Sequence, residues 1–149
     1  MGLKNIWVVK PSCNSKGQGI TLSGDLNEVI HDSQQMQNRV IQKYIENPLI
    51  FSENSLKNSI LFRKKFDIRL WVLVKSFKPL VVYSFSKGYL RLCAKQYDSS
   101  LEDLASNNRH LTNYSLNRKT YFGKESESVL KQSYLEEVLL KHRGVHWDY

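Results

Sequence analysis

The sequence predicts an α+β domain built on a mostly antiparallel β-sheet with flanking helices. Three observations favour this class. Apolar runs rich in β-branched and aromatic residues outnumber helical patterns, short polar turns join neighbouring runs, and only one long segment has clear amphipathic helical spacing. A chain of 149 residues is long enough to bury a core and corresponds to one domain or a piece of one.

Five apolar runs are predicted to be strands. They are NIWVVK (5–10), RVIQKYI (39–45), KKFDIRLWVLVKS (64–76), PLVVYSFS (79–86) and GYLRLCAK (88–95). Short turns around Lys78-Pro79 and Gly88 separate the last three runs, so these three are predicted to form an antiparallel meander.

Helices are predicted at fewer places. DLNEVIHD (25–32) has the composition of a short helix, and SSLEDLASNN (99–108) is predicted to hold a helical turn capped by Ser99 or Ser100. The segment 125–142 repeats apolar residues at helical spacing and is predicted to be an amphipathic helix. Residues 49–63 are predicted to be a loop.

Charge is concentrated in one part of the chain. The formal net charge is +8, and residues 57–95 contain ten basic residues but only one acid, Asp67. Such a segment is typical of a solvated lysine-rich surface or of a basic face for phosphates, an acidic peptide or nucleic acid. The two cysteines, Cys13 and Cys93, form no disulfide framework, which favours a reducing cytosolic setting. No signal peptide or membrane-spanning run is found in the sequence.

The strand at 64–74 carries the most informative pattern. Lys65, Asp67 and Arg69 occupy alternate positions, so the three charges share one face of the strand, while Phe66, Ile68 and Leu70 share the other. Three charges on an apolar strand are either a surface ladder of little energetic value or the lining of a cleft that holds phosphate or carboxylate. Arg91, on the third strand of the meander, is predicted to lie near the same face.

Three other segments have polar patterns. Lys10 ends an apolar strand, and SKGQGI follows with Lys16, Gly17 and Gly19, which can bring backbone N–H groups and a cation to phosphate. An ordinary flexible turn explains these residues equally well, because neither the P-loop nor the dinucleotide-binding pattern is present. QKYI (42–45) could read an adenine edge or be plain strand. HLTNYS (110–115) is either a turn capped by Asn113 or a substrate or nucleotide loop.

In this order the segments WVVKP, KGQGI, QKYIENPL, KFDIRLWVLV, GYLR and HLTNYS resemble the tubulin–tyrosine-ligase-like family, from about Asn5 to about Lys119. The resemblance implies an ATP-grasp-like fold, in which two α+β lobes close on ATP. Residues 1–149 would then be a partial catalytic domain, without its N-terminal part and without the C-terminal segment that binds metal.

The resemblance also implies roles for individual residues. Arg69 and Arg91 would be catalytic and would contact substrate, and Tyr114 and Ser115 would lie near the incoming amino acid. The implied nucleotide-binding residues are Lys10, Lys16, Gly17, Gln42, Lys43, Tyr44, Ile45, Lys65, Asp67, Thr112 and Asn113. Gln18 stands where many glutamylating members have arginine.

The implied reaction joins glutamate, glycine or tyrosine to a tubulin carboxylate. ATP would activate the carboxylate as an acyl phosphate, with Mg²⁺ bridging the phosphates. The implied partners are a free amino acid and the acidic C-terminal tail of tubulin or microtubules, in the cytoplasm and cytoskeleton and in cilia or basal bodies; no membrane is implied.

This sequence departs from the family at the metal site. The acidic strand residue and the Glu-x-Asn motif that hold Mg²⁺ are not found, and Glu136, Glu137 and Asp148 have the wrong spacing to replace them. No metal ligand is therefore assigned, and the isolated chain is expected to be inactive. Two alternatives stay open: a catalytically inactive tubulin-binding remnant and, more distantly, a basic nucleic-acid-binding module.

Overall fold

The computed structural model describes residues 4–34, 38–52, 54 and 60–146, so Lys57 and Asp148 lie outside the described residues. The strands are β1 (Trp7–Pro11), β2 (Thr21–Ser23), β3 (Arg39–Lys43), β4 (Lys64–Arg69), β5 (Val72–Phe77), β6 (Leu80–Ser84), β7 (Tyr89–Gln96) and β8 (Val129–Lys131). The helices are α1 (Leu26–Gln34), α2 (Asn107–His110), α3 (Tyr114–Asn117) and α4 (Gln132–Arg143), with 3₁₀ turns at Leu101–Asp103 and Glu125–Glu127. Every pairing between these strands is antiparallel, which confirms the predicted α+β class.

Sheet 1 contains the strands of the first third of the chain in the order β2-β1-β3. β1 lies in the centre because Val8 and Val9 are buried on its two faces. Helix α1 packs across β1 and β3, and it begins where the Asp25 carboxylate accepts a hydrogen bond from the Asn27 backbone N–H (2.8 Å). The predicted strand 5–10 and helix 25–32 are confirmed within a few residues, whereas no local pattern predicted the short β2.

The predicted three-strand meander is wrong. The run 64–76 breaks at Leu70-Trp71 into β4 and β5, and β4 pairs with β7 rather than with its neighbour in sequence. Sheet 2 therefore has the order β4-β7-β8, and β5 and β6 form a separate two-stranded ribbon. Gly88 permits this return, because a Cβ there would lie 2.6 Å from the carbonyl oxygen of Arg69 at the end of β4.

The ribbon exposes apolar side chains on both of its faces. Phe77 is 81% exposed, the neighbouring residues Val72 and Leu73 are 57% and 64% exposed, and most of the other apolar residues of the ribbon are also exposed. Two-stranded ribbons are marginally stable in water without a packing partner. The apolar face of the predicted strand is only partly covered: Ile68 and Leu70 are exposed, and only Phe66 from that face packs against core residues.

Helix α4 is shorter than predicted. It begins at Gln132, and the preceding residues of the predicted helix 125–142 form a 3₁₀ turn and β8, which adds to the edge of β7. The helix ends at Gly144, whose φ of 63° is the left-handed conformation that closes many helices. Leu135 and Val138 of α4 pack on Leu90 and Leu92 of β7. This core covers one face of sheet 2 and leaves the opposite face for charged residues.

Residues 97–117 form only short helical elements and contact both sheets. The predicted helical turn within 99–108 is present as the 3₁₀ turn Leu101–Asp103, where Ser100 is at the N-cap position but makes no side-chain capping bond. Asn113 holds the same position before α3, likewise without a side-chain capping bond. A second core containing Ile6, Val8, Tyr44, Tyr97 and Leu104 joins sheet 1 to this segment. No helix among the described residues is long and apolar enough to span a bilayer.

Candidate functional site

The three alternating charges of β4 lie on the face of sheet 2 opposite the α4 core, as predicted. Asp67 of β4 stands directly across from Arg91 of β7, and their side chains make two hydrogen bonds, Arg91 Nε to Asp67 Oδ1 (3.0 Å) and Arg91 Nη2 to Asp67 Oδ2 (2.6 Å). Arg69 Nε lies 3.3 Å from the same Asp67 Oδ2. The cluster also includes Thr112, whose hydroxyl oxygen is 3.3 Å from Arg91 Nη2. The sequence prediction that Arg91 joins this face is confirmed.

Asp67 is a single carboxylate between two guanidinium groups. Its burial raises its pKa, but the hydrogen bonds and charge of Arg91, with the charge of Arg69, outweigh burial and leave the pKa of Asp67 below its ordinary value. The hydrogen bond to Asp67 likewise raises the pKa of Arg91. Asp67 therefore stays ionised and fixes the positions of both arginines.

Lys65 lies deeper than the other charges. Its Nζ donates to the Tyr44 hydroxyl (2.9 Å) and to the His110 carbonyl oxygen (3.0 Å), and it lies 4.3 Å from the centroid of the Tyr44 ring. Burial is the main cause of its lowered pKa, and the positive charge of Lys10 adds to that lowering. Lys65 is therefore a desolvated cation that attracts an anion more strongly than a surface lysine would.

Sheet 1 contributes Lys10 and Gln42 to the same region. In the β1–β3 register, Val8 stands across from Gln42 and Lys10 across from Val40, so Lys10 and Gln42 share one face. Lys10 Nζ donates to Gln42 Oε1 at 2.6 Å. Lys10 is near enough to Lys65 for its positive charge to lower the pKa of Lys65, which relates sheet 1 to the charged face of β4.

The glycine-containing loop packs against the HLTNYS segment, two motifs that are about 100 residues apart in the sequence. The Ser115 hydroxyl donates to the carbonyl oxygen of Lys16 (2.7 Å). Gly17 has a φ of 83°, and a Cβ there would lie 2.7 Å from Leu116 Cδ1 and 3.0 Å from the Asn113 side chain. A residue with a Cβ would be strained at this left-handed position and would have to displace these two side chains. The structure thus brings Lys16, Gly17, Asn113 and Ser115 together.

Not every predicted site residue joins the cluster. Lys43 stands across from Trp7, on the opposite face of sheet 1 from Gln42, and its ammonium is bound to the Glu46 carboxylate and to the Ile6 carbonyl oxygen (2.9 Å). Ile45 is 67% exposed and lines an open pocket with Trp7, Lys43 and Tyr44. Tyr114 is exposed. The side chains of the predicted adenine segment 42–45 therefore point to different faces. These residues have in common only that their backbone lies at or just beyond the end of the edge strand β3.

Two residues to which the sequence patterns assigned no role help to hold the site. Glu46 is buried, and its carboxylate accepts from the Lys4 N–H (2.9 Å) and the Ile6 N–H (2.8 Å) and pairs with Lys43. The Lys43 hydrogen bond is the main reason that the pKa of Glu46 falls to about 2. A glutamate just after a strand carries no local signal of these bonds, because its two backbone partners lie about forty residues earlier in the chain.

The second such residue, Asn117, is completely buried. Its Oδ1 accepts from the Ala94 N–H (3.0 Å), and its Nδ2 donates to the carbonyl oxygens of Leu111 (2.7 Å) and Asn113 (3.0 Å). The amide therefore ties the 111–113 stretch, in which Thr112 contacts Arg91, to Ala94 of β7. Nothing in the local pattern distinguishes it from an exposed asparagine of a short helix.

The cysteines take no part in the site chemistry. Cys93 is buried in β7, and burial raises the pKa of its thiol to about 12, so it is not a nucleophile at neutral pH. Cys13 is exposed and forms no disulfide. Within the part of the chain that the structure describes, no three or more His, Cys, Asp or Glu residues lie together as a metal site would require.

The fold and the site define a class: an α+β domain in which antiparallel strands present a cluster of cations, two of them arginines paired with one aspartate. Residues 2–145 match the model of the tubulin-tyrosine ligase family, and the chain belongs to that family.

Curated relatives support this membership. The chain is 49% identical over 142 residues to tubulin glycylase 3E of Tetrahymena thermophila, an alignment that covers 91% of this chain and 10% of that protein. It is 40% identical over 146 residues to tubulin glycylase 3F of the same organism, covering 97% of this chain and 16% of that protein. It is 35% identical over 114 residues to human tubulin polyglutamylase TTLL5, covering 76% of this chain and 8% of that protein. The chain therefore spans a small fraction of the length of these relatives.

Proposed function

We propose that residues 1–149 are the nucleotide-binding core of an ATP-dependent ligase that attaches an amino acid to a carboxylate of tubulin. The observation that carries this proposal is a group of cations from three strands in one region. Arg69 and Arg91 pair with Asp67, Lys65 lies on the same face of β4, and the charge of Lys10 acts on Lys65. The glycylases and polyglutamylases among the relatives favour glycine or glutamate over tyrosine as the added residue.

The residues present fit a triphosphate. Arg69 and Arg91 share the one carboxylate of Asp67, and Lys10 is bound to the neutral Gln42, so the region has excess positive charge. The partly buried Lys65 is held in position by Tyr44 and His110 before any anion arrives. The loop at Lys16-Gly17 contacts Asn113 and Ser115, so its backbone lies beside the same region. Preorganised cations of this kind stabilise negative charge on a transferring phosphoryl group.

The residues present do not fit the magnesium ion that the resemblance implies. No group of three metal-ligating side chains occurs among the described residues, and Glu136 of α4 accepts a hydrogen bond from Gln132 (2.8 Å) on the same helix. No metal ligand is therefore assigned within the described part of this chain.

The chain's own residues would act by binding and positioning. ATP, when bound, would supply the γ-phosphoryl group that activates the tubulin carboxylate, with ADP as the leaving group, and the amino group of the added residue would then displace phosphate. Lys65 and Lys10 would neutralise the phosphates, and Arg91, fixed by Asp67 and Thr112, would keep a guanidinium at a constant position beside them. Arg69 is half-exposed and held by Asp67, so it is the arginine best placed to meet the incoming carboxylate.

The basic surface suits an acidic peptide as the acceptor. Ten basic residues against one acid between 57 and 95 would attract the acidic tail of tubulin and raise the association rate at low ionic strength. We infer cytoskeletal association on this ground and from the tubulin-modifying relatives.

Nucleotide binding tests the first half of the proposal. Titration of the 149-residue chain with ATP is expected to show binding, and Lys65→Met to weaken it at least about tenfold, as the loss of a hydrogen-bonded charge does. Lys75→Ala removes an exposed cation of the ribbon and is the matched control, with unchanged affinity. No ATP binding by the wild-type chain, or equal losses in both variants, would refute the proposed nucleotide site.

Transfer tests the second half. The whole gene product that contains this chain is incubated with ATP, tubulin and radiolabelled glycine, glutamate or tyrosine, and label on tubulin is counted. Arg69→Ala is expected to abolish transfer without unfolding the protein, whereas Lys141→Ala, which removes an exposed cation of α4 outside the 57–95 segment, retains it. Tubulin binding without transfer of any of the three amino acids would favour the inactive-remnant alternative. Full transfer by Arg69→Ala would overturn the role of Arg69.

A further inference from the structure

His110 is buried, with 1% of its surface exposed, and both of its ring nitrogens have partners. Nε2 lies 3.2 Å from the carbonyl oxygen of Asp103, and Nδ1 lies 3.1 Å from the Tyr44 hydroxyl. A carbonyl oxygen can only accept, so Nε2 carries the proton and Nδ1 of the neutral ring is an acceptor. The Tyr44 hydroxyl must therefore donate to Nδ1.

This assignment fixes what Tyr44 can offer to Lys65. With its proton directed to His110, the Tyr44 oxygen presents lone pairs, and Lys65 Nζ donates to it at 2.9 Å. Lys65 Nζ also donates to the carbonyl oxygen of His110 itself at 3.0 Å. The ammonium is thus held by two acceptors that both depend on His110, one through its backbone and one through its ring.

The surroundings keep the ring neutral. Burial lowers the pKa of His110, and the nearby positive charges of Lys65 and Arg109 lower it further, while Asp103 acts in the opposite direction. The Tyr97 ring stands edge-on to the imidazole, with a centroid separation of 5.8 Å. A neutral ring at neutral pH is the form that accepts from Tyr44.

We propose that His110 is a positioning residue for the Lys65 ammonium, acting through the hydroxyl of Tyr44. The geometry of the relay is independent of any ligand, and only the statement that it tunes phosphate binding rests on the proposed function. The inference gives a role to the side chain of His110, the first residue of HLTNYS, whose ring reaches Lys65 only through the Tyr44 hydroxyl.

A pair of variants separates the relay from simple packing. Asparagine places an amide oxygen near the position of the ring Nδ1, whereas glutamine places its amide near the position of Nε2. His110→Asn therefore keeps an acceptor for Tyr44, and His110→Gln removes it, while both lose the aromatic ring. Tyr44→Phe keeps both rings and removes only the hydroxyl, so it reports on the relay even if His110→Gln proves unstable.

The first readout needs no nucleotide. The 149-residue chain is acetylated briefly, and the rate at Lys65 is compared by mass spectrometry with the rate at the exposed Lys75. His110→Gln and Tyr44→Phe are each expected to raise the Lys65 rate about tenfold, the effect of losing a hydrogen bond to a charged group, and His110→Asn to change it less than about twofold. The Lys65 acetylation rate of the double variant His110→Gln/Tyr44→Phe is expected to equal that of Tyr44→Phe alone, because both changes interrupt the same relay.

The second readout is the dissociation constant for ATP, which is expected to rise about tenfold in His110→Gln and to stay near wild type in His110→Asn. Equal effects of the two His110 variants on labelling, or effects of His110→Gln and Tyr44→Phe that multiply in the double variant, would overturn the relay. A wild-type chain that does not bind ATP would refute the proposed function, and the labelling rates would still decide whether His110 positions Lys65.

Discussion

Asn117→Ala should cost this domain a large part of its stability. The side chain is completely buried and makes three hydrogen bonds to backbone groups, one to β7 and two to the 111–113 stretch. At about 1 kcal/mol of net stabilisation per bond, the loss is about 3 kcal/mol, and backbone groups left without partners raise it towards about 5 kcal/mol. For a domain of this size, about 3 kcal/mol lowers Tm by about 6–12 °C.

Thermal unfolding followed by circular dichroism measures this effect. Asn27→Ala is the matched control, because Asn27 is exposed on α1 and its replacement is expected to change the free energy of unfolding by less than about 0.5 kcal/mol. Asn117→Ala is also expected to weaken ATP binding, since it frees Thr112 and Asn113 from β7. A decrease in Tm no larger than that of Asn27→Ala would refute the reasoning that Asn117 ties the two segments together.

Two further predictions concern the loop at Gly17 and the hydrogen-bonded carboxylate of Glu46. Gly17→Ala and Gly123→Ala each place a residue with a Cβ in the left-handed conformation, at φ of 83° and 75°, at a cost of about 1–2 kcal/mol. Of these two, only the Gly17 Cβ would meet neighbours within 4 Å, so Gly17→Ala is expected to lower the free energy of unfolding in urea by more. Equal losses in the two variants would contradict the close packing of the loop. The pKa of Glu46 is about 2 in the folded chain and near its ordinary value of 4.5 when unfolded, so its contribution to stability is present above pH 4.5 and is lost as the pH falls towards 2. In Glu46→Gln the decline of Tm between pH 4.5 and 2 is expected to be shallower than in the wild type. Parallel curves of Tm against pH in the two proteins would show that the ionised carboxylate does not stabilise the fold.

The charged face of β4 was predictable because it depends only on local geometry. Strand alternation directs Lys65, Asp67 and Arg69 to one side of any sheet, whatever that sheet pairs with. The same rule placed Arg91 near that face, and the register sets it directly across from Asp67. The prediction is correct although the meander that suggested it is wrong, because Arg91 lies on the charged face in both arrangements.

The strand order was not predictable from the same residues. Short turns at Lys78-Pro79 and Gly88 are compatible with a meander, and nothing in the local sequence indicates that Leu70-Trp71 interrupts the run. The choice was made by contacts between distant residues: β8 and α4 cover β7 from beyond residue 128, and the close approach of Gly88 to the Arg69 carbonyl brings β7 against β4. The same contacts shorten the predicted helix 125–142, because residues 129–131 pair with β7 instead of continuing a helix.

The sequence by itself determined most of the elements and the chemical types of the site residues, because propensity and alternation act between near neighbours in the chain. Only the tertiary structure decided which of those residues meet. It joined Lys16-Gly17 to Asn113, placed Lys43 on the opposite face from Lys10, and connected His110 through Tyr44 to Lys65. Contacts of this kind depend on how the two sheets pack. That packing is stabilised by the total apolar surface buried, so the polar residues that it brings together carry no signal of their contacts in the local sequence.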